Sequence, residues 1–132
     1  MDQFLKSAPN SIEINNNIKA LEEDETLLLI VDVQQKLINN IKDNQLLIFN
    51  IKKLISACNL LDIPIAISEQ NPLKLGMTLE SILADKKYPK FEKMEFSCAE
   101  NNNFINYLNE YNFRNIIVCG IESHICILQT SI

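Results

Sequence analysis

The continuous apolar run Thr26-Leu-Leu-Leu-Ile-Val-Asp-Val33 meets a carboxylate near its far end, the pattern of a strand buried on both faces of a parallel sheet. From Asp43 to Leu61 the pattern changes period. Leu47, Ile51, Leu54, Ile55 and Cys58 recur at three- and four-residue steps, which predicts a helix that Asp43 or Asn44 can cap. Asp62-Ile-Pro-Ile-Ala-Ile-Ser68 reads as a second strand beside the first, with its proline near the entry, where a strand tolerates it best. Pro72, Gly76 and Pro89 interrupt the stretch from Glu69 to Phe96, so it reads as a long irregular segment with one short helix, Thr78 to Ala84, capped by Thr78. Phe104, Ile105, Leu108 and Tyr111 stripe a further helix over Asn101 to Asn112, and Asn115-Ile-Ile-Val-Cys-Gly-Ile121 is a third buried strand. Strands alternating with helices predict an α/β domain: a three-layer, αβα Rossmann-like parallel sheet with right-handed crossovers. Residues 1–26 are polar and Asn-rich and read as an N-terminal arm, which Ile12, Ile14, Ile18 and Leu21 can dock onto a domain spanning 27–132.

Composition narrows the function classes. At 132 residues, 47% apolar and 22% charged, the chain suits one globular domain with a real core. Its two glycines, Gly76 and Gly120, are too few and too far apart for a phosphate-cradling or dinucleotide-binding loop, so no organic cofactor is expected. A net charge of −5 argues against a nucleic-acid surface. The lack of a long apolar run and of a basic-then-apolar leader argues against a membrane partner and for the cytoplasm. Cys58, Cys98, Cys119 and Cys126 lack CxxC spacing and read as reduced thiols, and one histidine, His124, excludes a multi-histidine metal site.

Groups just beyond the carboxyl ends of parallel strands converge on one crevice. Asp32 falls at such a position, Cys126 lies shortly after the third strand in the next helix, and Lys93 belongs to the Phe91-to-Phe96 stretch. A helix N-terminus and a nearby ammonium both favour a thiolate, so this placement predicts a Cys126 pKa below that of an ordinary thiol. A carboxylate in reach can take the thiol proton and return it to a leaving group. Taken singly, the three have plainer readings: Asp32 as a turn or cap residue, Lys93 as a solvated surface charge, Cys126 as packing.

Three segments in order, Leu28-Leu-Ile-Val-Asp-Val-Gln34, Phe91-Glu-Lys-Met-Glu-Phe-Ser97 and Val118-Cys-Gly-Ile-Glu-Ser-His-Ile-Cys126, resemble the isochorismatase-like cysteine hydrolases. Together with Ser68-Glu-Gln-Asn-Pro-Leu-Lys-Leu-Gly-Met-Thr78 they are most similar to the branch called isochorismatase domain-containing proteins. The resemblance implies the isochorismatase-like hydrolase fold. It implies Cys126 as nucleophile, Asp32 as base and Lys93 as the supporting cation. It also implies a cis Ile121–Glu122 bond that turns the Glu122 N–H toward the pocket, to form an oxyanion hole with the Cys126 N–H. Nicotinamidases of this superfamily bind a metal after the second strand, where this chain has Glu69-Gln70-Asn71-Pro72, so no metal is expected.

Gln34, Gln70 and Phe96 are candidate pocket residues, the glutamines against the plainer reading of exposed loop positions. His124 reads as a packing or partner-facing residue, Cys98 as a second thiol near Lys93, and Cys58 and Cys119 as core. The leading function is hydrolysis of a small amide or related C–N bond through a Cys126 thioester. The alternatives are a non-catalytic interaction module and an isochorismate-like vinyl ether hydrolase. The family continues with further strands after the nucleophile helix, so the chain reads as truncated at its C-terminus, with an uncovered sheet edge that favours a homo-oligomer.

Overall fold

In the computed structural model the described residues are 20–132. Ile12, Ile14 and Ile18 of the expected arm lie outside them, and Leu21 is exposed. Four strands form one sheet: β1 (Thr26–Val31), β2 (Ile65–Gln70), β3 (Lys90–Lys93) and β4 (Asn115–Gly120), in the order β3-β2-β1-β4. Every pairing is parallel, with Ile30 opposite Ile67 and Cys119, and Gln70 opposite Lys93. The helices are α1 (Gln35–Ile38), α2 (Asn44–Leu60), α3 (Pro72–Leu75), α4 (Glu80–Leu83), α5 (Asn102–Glu110) and α6 (Leu128–Ser131).

The two-residue period of β1 divides its side chains between two cores. Leu28 and Ile30 pack with Ile65 and Ile67 of β2 against Ile51, Ile55 and Cys58 of α2 and Ile82 of α4. Leu27, Leu29 and Val31 pack on the other face with Ala66, Cys98, Phe104 of α5 and Cys126. These are the three layers that the alternation predicts. On the second face Phe91, Phe104 and Tyr107 meet at ring separations of 5.3 Å, in tilted and edge-on arrangements that suit aromatic quadrupoles.

Several local expectations change. The stretch around Lys93 is a strand, because Phe91 is drawn onto the aromatic cluster while its backbone pairs with the end of β2; four residues are too few for periodicity to announce it. Asp43 occupies the N-cap position of α2 in a left-handed conformation and makes no side-chain cap bond. Asn44 instead donates to Ile38 O at 3.3 Å. Thr78 caps nothing, since its hydroxyl and N–H both serve Glu69 and the short helix starts after Leu79. Asn101 caps α5 by accepting from Phe104 N–H at 3.0 Å.

Candidate active site

Asp32 follows β1 directly and sits at φ 53°, a left-handed conformation that aspartate tolerates better than most residues. Its N–H reaches Ser68 O of β2 at 3.2 Å and its carbonyl accepts from Gln34 N–H at 2.9 Å, which fixes the turn that follows β1. Both carboxylate oxygens are engaged. Ser68 Oγ donates to Oδ1 at 2.8 Å and Lys93 Nζ to Oδ2 at 2.7 Å.

The Asp32–Lys93 ion pair is buried, with each side chain 1% exposed. Removing two charges from water is costly and is offset only when the remaining donors and acceptors are satisfied. Here they are: Lys93 Nζ also donates to Gln70 Oε1 at 2.6 Å and to Glu95 O at 3.2 Å, which uses all three ammonium hydrogens.

Cys126 comes from the segment after β4, which opens as a π-turn over Ser123–Ile127 and not as an ordinary helix. Ile127 N–H and Ile125 N–H both reach Glu122 O at 3.2 Å. Such bulges re-aim side chains and recur at functional sites. Cys126 is 2% exposed, its Sγ donates to Glu122 Oε2 at 3.8 Å, and the Asp32 carboxylate is near enough to bear on its titration. Its pKa is pushed up to about 12, chiefly by burial, then by the hydrogen bond to Asp32 and its charge; Lys93 pulls it down and Glu122 adds to the rise. The expectation of a lowered thiol pKa is therefore overturned. Lys93 is in place, but its charge is spent on Asp32, and the π-turn offers no long helix N-terminus to add to it.

No peptide bond is cis among the described residues, so the Ile121–Glu122 bond is trans, contrary to the arrangement implied by the resemblance. The trans form is the lower-energy one for a non-proline bond, and the chain enters the π-turn through Glu122 at φ −107°, ψ 73°. The orientation that a cis bond was to impose on the Glu122 N–H is thus not imposed.

Gln34 is 0% exposed, which rules out the reading of an exposed loop position. Its Nε2 donates to Gln70 O at 3.0 Å and to Gly76 O at 2.6 Å, and its Oε1 accepts from Gln70 N–H at 2.9 Å. Gln70 touches Lys93, and Phe96 is 57% exposed. Glu69 points to the opposite face of β2, where its Oε1 accepts from Thr78 N–H at 2.8 Å, Thr78 Oγ at 2.6 Å and Lys90 Nζ at 3.2 Å. Burial pushes its carboxyl up, but the bonds from Thr78 and Lys90 outweigh that and hold it below the ordinary value. With Glu69 and Gln70 so committed, the donors after β2 do not fit a metal.

Cys98 is buried near Ser68, Thr130, Lys93 and Asp32, and burial pushes its thiol up. Cys58 is core, Cys119 is partly buried with its pKa pushed up to about 12 by burial and by Cys58, and His124 is exposed. Ser68 and the Gln34 clamp were missed in the sequence. The two-residue period of β2 carries the signal for Ser68, since it puts Ser68 and Gln70 on one face and Glu69 on the other. A cavity of about 570 Å³ opens against β3, lined by Asn71, Leu73, Glu92, Lys93, Met94 and Asn101 among others, so that it reaches the site at Lys93.

A parallel α/β sheet with a carboxylate, an ammonium and a thiol gathered at its carboxyl ends defines a narrow class of protein. The chain belongs to the isochorismatase family: residues 26–132 match the Isochorismatase domain. Isochorismatase family protein 1A of Dictyostelium discoideum is 34% identical over 118 residues, which are 85% of this chain and 57% of that protein. Isochorismatase domain-containing protein 2 of Xenopus laevis is 29% identical over 115 residues, 87% of this chain and 56% of that protein. Among solved structures, one described as the MAR1 ribonuclease of Caenorhabditis elegans superposes with a TM-score of 0.76 at 31% identity, covering 86% of this chain and 58% of that one. A nicotinamidase from Staphylococcus aureus shares the fold, with a TM-score of 0.70 at 19% identity over 82% of this chain and 73% of that one. The chain spans somewhat over half the length of the curated relatives it matches. No helix among the described residues is long and apolar enough to cross a membrane.

Proposed function

We propose that the protein is a hydrolase of a small amide or related C–N substrate, acting through a thioester on Cys126. The observation that carries this reading is the buried Asp32–Lys93 ion pair at 2.7 Å, set close to the buried Cys126 thiol. Because the resting thiol is neutral, attack and deprotonation are coupled: Asp32 accepts the proton as Sγ bonds to the carbonyl carbon. The main-chain N–H of Cys126 receives the oxyanion; removing such a donor typically costs on the order of 3 kcal/mol of transition-state stabilisation. Asp32 then returns its proton to the leaving nitrogen as the C–N bond breaks. Water, deprotonated by the same carboxylate, attacks the thioester, releases the acid and restores the thiol. Lys93 keeps the Asp32 carboxyl group oriented throughout, through its contact with Oδ2 at 2.7 Å.

The test is turnover of a panel of small primary amides by the chain and by its Cys126→Ala and Cys126→Ser variants. Activity should vanish in both while cooperative thermal unfolding is kept, and an acyl adduct should appear by intact mass in the parent alone. Turnover surviving in either variant sinks the covalent mechanism.

A second reading, a non-catalytic interaction module, draws on the outer edge of β4. Two apolar grooves of about 300 Å³ flank it, one lined by Phe104, Ile105, Leu108, Ile116 and Val118, the other by Leu47, Ile51, Leu54, Cys119 and Ile127. Self-association through this edge is compatible with the hydrolase reading and belongs to it. Selective labelling of Cys126 by a thiol-directed electrophile favours the enzyme over the module.

A further inference from the structure

We propose that Gln70 is a positioning residue that seats the Lys93 ammonium against Asp32, with Gln34 as the clamp that holds Gln70 in place. The inference rests on the reading that Lys93 supports the Cys126–Asp32 pair. Gln70 and Lys93 are direct cross-strand neighbours at the ends of β2 and β3, so the amide and the ammonium leave the sheet side by side. Gln70 Oε1 accepts from Lys93 Nζ at 2.6 Å, while its Nε2 donates to Met94 O at 2.8 Å and so cannot swing away without losing a second bond.

The backbone of Gln70 is gripped as firmly. Its N–H and carbonyl both bond the side-chain amide of Gln34, which is fully buried and whose Nε2 also donates to Gly76 O at 2.6 Å. A neutral acceptor suits this place. A second carboxylate beside Lys93 would compete with Asp32 for the ammonium and add negative charge near a thiol that must ionise during attack. With its carbonyl on Lys93 and its NH2 on Met94 O, Gln70 acts through the lysine and not as a ligand for substrate or metal.

The experiment follows alkylation of Cys126 by iodoacetamide in the 132-residue chain, mapped by peptide mass, in the parent and in Gln70→Met, Gln70→Asn, Lys93→Met and the Gln70→Met/Lys93→Met double variant. Each variant is first checked for cooperative thermal unfolding. Gln70→Met keeps the length and removes the acceptor, and Gln70→Asn keeps the amide but falls short of Lys93, so the second carries the test if the first fails to fold. Both should slow alkylation about fivefold at about pH 8 and move the pH–rate profile to higher pH, because a loosened ammonium stabilises the thiolate less. In the Lys93→Met background, Gln70→Met should change nothing further. If Lys93→Met slows alkylation while the Gln70 variants match the parent, or if Gln70→Met still slows it without Lys93, the positioning role is overturned and the proposed function stands. If Lys93→Met alkylates at the parent rate, the role of Lys93 itself fails.

Discussion

Asp32 has three neighbours with opposed interests: Lys93 pairs with its charge, Ser68 donates to it, and the Cys126 thiol is kept neutral partly by it. Its charge is also a main reason, after burial, why that thiol stays neutral. Asp32→Asn should therefore alkylate faster at Cys126 near neutral pH than the parent, while hydrolysis is lost for want of a base; slower alkylation would show that the carboxylate does not govern the thiol. In the parent the alkylation rate should climb by about tenfold per pH unit with no plateau near pH 9, since the thiol pKa is pushed up to about 12. Glu69 gives the opposite case. Its carboxyl is held below its ordinary value of 4.5, so the stability it contributes is present above that value and is lost as pH falls through the folded-state pKa. Glu69→Gln should flatten the acid limb of the melting-temperature profile, and an unchanged limb would show that Thr78 and Lys90 add nothing.

At the level of the elements, the turn that presents Cys126 depends on how closely the end of β4 approaches β1. A Cβ at Gly120 would lie 2.5 Å from Val31 O and 2.8 Å from Ile127 Cδ1, the first a backbone atom that cannot yield. Gly120→Ala should cost on the order of 1–3 kcal/mol by overpacking, push the π-turn off Asp32 and reduce turnover more than it lowers the melting temperature. Parallel losses in a denaturant series and in activity would mean that the site merely follows global stability. β3 makes a related point. Phe91 and Lys93 share a face of one four-residue strand, so the element that brings the cation to the site is anchored by a ring two residues away.

Across the whole molecule, β1 and β2 lie inside the sheet, while β4 pairs only with β1 among the described residues and carries Ile116 at 39% exposed. An apolar edge of this kind is a template for pairing with another chain. The 132-residue chain should show concentration-dependent association in the micromolar range by sedimentation velocity, and Ile116→Lys should shift it toward monomer. A parent that is monomeric at every concentration would show the edge to be covered.

The sequence by itself determined the parallel three-layer sheet, because the buried strands are continuous apolar runs and α2 and α5 repeat every three to four residues, signals long enough to survive any neighbour. It also pointed to Asp32, Lys93 and Cys126, through motifs that sit at strand ends. Tertiary structure alone decided that Lys93 rides on a short strand, that Gln34 is a buried clamp, that Thr78 serves Glu69 instead of a helix, and that the thiol pKa rises instead of falling. Those outcomes turn on which groups meet across the sheet and how much water is excluded when they do, and a sum of desolvation and pairwise charge is not written in the order of residues along the chain.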